Sequence, residues 1–165
     1  MKITIRRPIS TDQPAHVASL YYRVWQTAYR DILPARFLNA LSVNSWHPEK
    51  RWANTLLAVD EQNTISGVCT FGPNRNDDYL NTSEIYSLYV DDGCRGKGIG
   101  HDLLSQALGM LPDDRDCFVV VLTENRSARH FYNRMGFKQS GEPETSVTKY
   151  GPINEVTLVK NGTNL

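Results

Sequence analysis

The chain has 165 residues, 18 Lys and Arg against 18 Asp and Glu, 40% hydrophobic and 22% charged residues. At this length a folded chain buries about 70% of its unfolded surface, so residues 1–165 are read as a single domain with its own core. Zero net charge argues against broad nucleic-acid binding, and no window approaches the ~20 apolar residues of a membrane span, so neither nucleic acid nor membrane is expected as a partner.

Met1 to Pro8 carries no apolar stretch of signal-peptide length, which leads us to expect a cytoplasmic protein. Within it, Ile3 to Arg7 alternates like a short strand. Thr11-Asp12 is placed to cap a helix whose apolar residues Val17, Leu20, Tyr21, Val24, Trp25 and Ala28 follow helical spacing. Pro34 suits the first turn of a second helix with Phe37, Leu38 and Leu41. Three strand-like stretches follow, Trp52 to Val59, Thr64 to Phe71 and Glu84 to Val90, with Gln62-Asn63 and Pro73 to Asp78 as turns.

After Val90 the pattern becomes glycine-rich loop, helix (Ile99 to Met110), strand (Cys117 to Leu122), helix (Asn125 to Met135) and two strands, Phe137 to Glu142 and Asn154 to Lys160. A strand-helix-strand unit is a right-handed crossover, so Glu84 to Val90 and Cys117 to Leu122 should be parallel neighbours. Gly136 stands where a left-handed helix cap belongs, and Pro112 lies just past the preceding helix. The expected fold is α/β, a mixed and mostly antiparallel sheet with one parallel step.

Cys69, Cys94 and Cys117 are odd in number and lack a Cys-x-x-Cys pair, which reads as reduced thiols. His16, His47, His101 and His130 show no ligand spacing with one another or with the cysteines, so no metal is expected.

The segment Val90-Asp91-Asp92-Gly93-Cys94-Arg95-Gly96-Lys97-Gly98-Ile99-Gly100 looks built for an anion. Its glycines let backbone N–H groups converge on phosphate oxygens, the helix start adds partial positive charge, and Arg95 and Lys97 add full charge. Counting from Gly93, a P-loop would need Lys and Ser or Thr where Ile99 and Gly100 stand. A dinucleotide fingerprint beginning at Gly96 would need a third Gly where His101 stands.

Arg95 to Gly100 instead reads Arg-x-x-Gly-x-Gly, which resembles the pyrophosphate-binding loop of the GNAT superfamily of N-acetyltransferases. Asn125 to Phe137 is similar to a second motif of that superfamily, Asn-x-x-Ala-x-x-x-Tyr-x-x-x-Gly-Phe. The two motifs and the strands leading into them span residues 84 to 138. The resemblance implies that the two parallel strands splay and that acetyl-CoA, as co-substrate, lies in the gap like an extra strand. Leu88, Tyr89 and Val90 would then bond the pantetheine, with the Val90 N–H polarising the thioester carbonyl. Arg95, Gly96, Lys97, Gly98, Ile99 and Gly100 would hold the pyrophosphate. Asn125 would either touch the pantetheine or cap its helix.

The same resemblance gives Tyr132 the place of the proton donor to departing CoA thiolate. With phenol and thiol references of ~10 and ~8.5, full transfer is uphill by about 2 kcal/mol, so the residue reads first as a hydrogen-bond stabiliser. It also shares a helical face with Ala128 and Met135, the alternative being core packing. An amine must lose a proton before it attacks. Glu84 stands where part of the family carries its glutamate base, or is a charged strand end. None of the cysteines is placed for a covalent acetyl route, so direct transfer in a ternary complex is expected.

The acceptor region would draw on Trp25, Tyr29, Asp31 and Trp46, with Glu142, Glu144 and Tyr150 from the last two strands, although Trp25 also fits the core stripe. A small primary amine or amino-acid derivative is the expected acceptor, with a peptide N-terminus or lysine second. A non-catalytic acyl-CoA sensor and a nucleotide module are the readings from other classes; the intact Tyr132 and the missing phosphate-motif residues weigh against them. Asn154 to Lys160 is expected to leave an edge open to a second copy, as in a homodimer.

Overall fold

Thr4–Arg6 (β1) pairs antiparallel with Thr55–Val59 (β2), β2 with Ile65–Pro73 (β3), and β3 with Ser83–Val90 (β4). The computed structural model describes residues 1–163. Cys117–Leu122 (β5) joins β4 in parallel, and Gly151–Lys160 (β7) runs antiparallel between β5 and Lys138–Thr148 (β6). Among the described residues this makes a seven-stranded mixed sheet in the order β1-β2-β3-β4-β5-β7-β6, the α/β architecture expected from the sequence.

Helices cover both faces. On Pro14–Ala28 (α1), Val17, Leu20, Tyr21 and Val24 recur at helical spacing and bury against Leu57, Val59, Ile65 and Val68. The alternate residues of the same strands, Leu56, Ala58 and Cys69, face the other way and pack with Leu103, Leu104 and Ala107 of Ile99–Met110 (α3) and Tyr132 of Arg126–Arg134 (α4). A one-residue slip of β2 would turn both sets to the wrong face, with each side chain worth about 1.5–3 kcal/mol of burial. A short helix, Ala35–Asn39 (α2), adds a third cluster around Tyr29, Leu33 and Leu38.

Several boundaries differ from expectation. Asp12 does not cap α1. Its carboxylate accepts from Arg6 at 2.6 and 3.1 Å and from the Ile9 N–H at 2.7 Å, leaving Gln13 at the cap position with no side-chain bond. Pro34 stands just before α2 rather than in its first turn. Pro48–Asn54 winds into 3-10 turns, so the second strand starts at Thr55 rather than Trp52. β6 runs to Thr148 rather than ending at Glu142, because a register shift between Ser140 and Glu144 absorbs Gly141 and Pro143. β7 begins at Gly151 and is paired on both sides, so the open edge expected at Asn154 to Lys160 is not there; among the described residues β6 is the edge on that side of the sheet.

The feature that positions a site is the parting of β4 and β5. β4 stays paired with β3 up to Val90 opposite Gly67, but its register with β5 covers only Ser83, Ile85 and the residue between them, against Cys117 to Val119. A register shift between Thr70 and Phe71 falls opposite Tyr86, where the separation begins. Beyond it β5 keeps β7 and loses β4.

Candidate active site

The parting leaves a slot of about 530 Å³, lined on one side by Tyr86 to Val90 of β4 and on the other by Val119 to Val121 of β5. Without β5, the outward backbone groups of Leu88, Tyr89 and Val90 lack a strand partner, so they can bond an extended ligand laid between the strands.

At one end stands the glycine-rich loop. Arg95, Gly96, Gly98, Ile99 and Gly100 line the slot there, and Gly96 and Gly98 have φ of +74° and +82°. That left-handed geometry turns successive N–H groups toward one point, and Gly98 is also the cap of α3, whose first N–H groups have no partner within the helix. Arg95 pairs with Asp92 at 3.0 Å while half exposed. Lys97 does not line the slot. Asn125 does, and its Oδ1 also accepts from the Ala128 N–H at 3.2 Å, so it both caps α4 and borders the slot.

Tyr132 reaches the slot from α4. Its ring is wedged between Phe131 and Phe137, with centroids at 5.2 and 5.4 Å, and the residue is only 5% exposed. Its hydroxyl makes no hydrogen bond to any described residue of the protein. Burial, followed by the nearby Cys69, Tyr29 and Cys117, holds this phenol well above its ordinary ionisation range. It is therefore a proton-bearing donor with its hydrogen bond unspent, and a weaker acid than a free phenol.

Tyr29 also lines the slot, with its hydroxyl 3.3 Å from that of Tyr89. Burial raises both phenols, Tyr89 well above the usual range. Trp25 does not line the slot; it packs in the aromatic cluster of Tyr29, Phe37 and Trp46, and its indole N–H is buried without a partner. Tyr150 meets Phe37 edge-on at 5.7 Å, tying the β6–β7 turn to α2.

Glu84 does not join Tyr132. It faces a neighbouring cavity of about 420 Å³ that also takes Arg75, Glu142, Glu144 and Glu155, and that meets the slot at Val120. There its carboxylate is occupied: Oε1 accepts the backbone N–H and Nε of Arg75 at 3.0 and 3.1 Å, and Oε2 accepts Nη2 at 2.7 Å. Arg75 sits in the polar turn before β4, where sequence spacing offered no sign of it. Among the described residues no Asp or Glu lines the slot itself. Burial pushes the Cys69 thiol far up and Cys117 to about 12, so neither is a thiolate near neutrality, whereas Cys94 lines the loop end of the slot. Among the described residues no group of three His, Cys, Asp or Glu is placed to hold a metal ion, and no helix is long and apolar enough to cross a membrane.

Of this lining, sequence reasoning named Tyr29, Leu88 to Val90, Arg95, Gly96, Gly98 to Gly100, Asn125 and Tyr132, and among the polar side chains it missed Tyr86, Ser87, His101, Ser127, His130 and Arg134. The last three had a signal, their spacing along the helix that carries Tyr132.

Comparison with known proteins shows the family and the fold. A family model described as the acetyltransferase (GNAT) family matches residues 17–137. The chain is 30% identical to the peptidyl-lysine N-acetyltransferase YjaB of Escherichia coli (strain K12), over 71% of each chain. It is 26% identical to the L-amino acid N-acyltransferase MnaT of the same organism, over 70% of this chain and 69% of that one. Its fold matches the PaiA N-acetyltransferase of Thermoplasma acidophilum, solved in complex with coenzyme A, with a TM-score of 0.69 at 20% identity over 98% of this chain and 99% of that one.

Proposed function

The chain belongs to the acetyltransferase (GNAT) family, and from that premise we propose that it moves an acetyl group from acetyl-CoA to the primary amine of a small molecule or amino-acid derivative, directly and within a ternary complex. The observation that carries the reading is the slot itself, with an anion cradle at one end and the unspent hydroxyl of Tyr132 inside it. The cradle of residues 95–100 would bind the diphosphate. Leu88 to Val90 would bond the pantetheine as a strand bonds its neighbour, and the Val90 N–H would meet the charge that develops on the thioester oxygen.

Tyr132 would donate its hydrogen bond to the leaving sulfur. Its raised phenol suits a donor that stays protonated and argues against outright proton transfer. For the amine's proton, no carboxylate among the described residues lines the slot and Glu84 is engaged by Arg75, so a chain of water molecules would relay it from the slot to bulk solvent. With Cys69 and Cys117 buried as thiols, and Cys94 at the loop end of the slot beside the proposed diphosphate and away from the thioester, the transfer would have no covalent stage on the protein.

A peptide amine is the second reading. It is favoured by the adjoining cavity, whose Glu142, Glu144 and Glu155 would suit a longer, cationic acceptor.

Thermal unfolding with acetyl-CoA, ATP and NAD, followed by CoA release with amino acids, simple amines and lysine peptides, tests the proposal. Acetyl-CoA at ~100 times its Kd should stabilise by about 2.7 kcal/mol and raise the midpoint by roughly 5–11 °C, with no such effect of ATP or NAD. Initial-rate lines that intersect support the ternary complex, and parallel lines reject it. Absence of any acetyl-CoA shift removes the proposal.

A further inference from the structure

The slot is lined by side chains that the transfer does not use. Ser127, His130 and Arg134 of α4 line it, and so does His101 of α3. Positions 127, 130 and 134 follow i, i+3, i+7 spacing, which puts them on one stripe of the helix. The stripe adjoins the anion cradle: the Phe131 ring, next to His130 in sequence, lies 3.7 Å from where a Cβ of Gly100 would stand.

The basic side chains on that stripe have no partner among the described residues. Arg129, one step off it, spends its guanidinium on the Thr123 carbonyl and the Gln139 side chain, each at 3.0 Å. Arg134 and His130 make no ion pair or side-chain hydrogen bond with any described residue, and no Asp or Glu lines the slot to neutralise them. His101 alone has an acidic neighbour, Asp102 at 3.1 Å.

We propose that His130 and Arg134, with the Ser127 hydroxyl, form a binding site for the ribose 3′-phosphate of coenzyme A. The proposal rests on the acetyl-CoA reading and goes beyond it. Coenzyme A carries three phosphates, and the glycine cradle accounts for the two of the diphosphate. The third is a separate anion at the end of the molecule opposite the thioester, where an unpaired guanidinium can take two of its oxygens at once. The site makes the protein select coenzyme A over donors that lack this phosphate: dephospho-CoA and the phosphopantetheine arm of a carrier protein.

Titration calorimetry on the full chain with CoA and with dephospho-CoA tests this at low salt, where exposed charge pairs are least screened. The wild-type protein should bind CoA about tenfold more tightly. The double variant His130→Gln, Arg134→Gln should bind CoA as weakly as dephospho-CoA, with its dephospho-CoA affinity unmoved. Arg126→Gln, which removes a positive charge from α4 outside the slot, should keep the preference. Equal wild-type affinities, or a double variant that loses both ligands alike, overturn the phosphate site and leave the acetyl-CoA reading standing. Binding of neither ligand by the wild type overturns both.

Discussion

Arg75 closes on Glu84 with two guanidinium nitrogens, Nε at 3.1 Å and Nη2 at 2.7 Å, and lies with its guanidinium carbon 4.7 Å above the ring centre of Tyr86, which lines the slot. The pair therefore braces the point where β4 leaves β5. Glu84→Gln keeps the shape, loses the charge and leaves the guanidinium without its counterion, so it should lower stability by about 1–3 kcal/mol. On the proposed route, in which water rather than Glu84 carries the amine proton away, kcat should stay within about threefold of wild type from pH 6 to 9. A fall of the order of 10²–10⁴-fold in kcat, with an unchanged melting point, would instead make Glu84 the base.

Tyr132→Phe separates hydrogen bonding from packing. The ring contacts with Phe131 and Phe137 survive, and no bond within the protein is lost, so the melting temperature should hold. A hydrogen bond to a charged group is worth about 1.5–3 kcal/mol, so kcat should fall by roughly 10- to 100-fold with the KM for acetyl-CoA nearly unchanged. Since burial raises this phenol, wild-type kcat should show no alkaline limb below about pH 10. An equal rise in KM would make Tyr132 a binding residue only.

How far the sequence reaches is clearest along β4. The order of elements, the parallel step and the two glycine-linked motifs were legible because each depends on residues close in the chain, such as Gly96 and Gly98 with their positive φ and Gly136 at +94°. Contacts across the fold were not. Asp12 looks like a cap until β1 brings Arg6 within 2.6 Å, and Glu84 looks like a free base until the turn folds Arg75 onto it. Trp25 belongs to both a helical stripe and an aromatic set, and only the position of α2 decides that Phe37, rather than a ligand, takes its face. The breakers Gly141 and Pro143 hid the length of β6, because a register shift depends on the partner strand.

Buried acids should make the fold sensitive to alkali. Burial is the largest cause of the raised pKa of Tyr21, Tyr29, Tyr89 and Tyr132, and likewise of Cys69 and of Cys117, the latter pushed up to about 12. In the unfolded chain thiols ionise near ~8.5 and phenols near ~10, while the folded protein keeps them neutral. Their contribution to stability is thus complete below those values and lost as pH rises through them, because the unfolded state then releases protons that the folded state retains. Urea unfolding should give a free energy that is level from pH 7 to 8, declines above about 8.5 and drops more steeply above about 10. Tyr132→Phe should make the steep part shallower by about one proton, and a curve level to pH 11 would contradict the buried phenols.

Gly98 and Gly93 stand five residues apart in one loop and should respond differently to the same added methyl. A Cβ at either meets nothing within 4 Å, so neither change is a clash. Gly98 holds φ at +82°, where an L-residue costs about 1–2 kcal/mol, whereas no positive φ is found at Gly93. Gly98→Ala should therefore lower the melting temperature by roughly 2–8 °C, and Gly93→Ala should leave it within about 1 °C. The same methyl at Gly98 stands at the helix start, among the N–H groups that would face the diphosphate, so acetyl-CoA affinity should drop by about tenfold or more in Gly98→Ala and hold in Gly93→Ala. If both variants bind acetyl-CoA like wild type while only Gly98→Ala melts early, the loop is a strained turn and the diphosphate lies elsewhere.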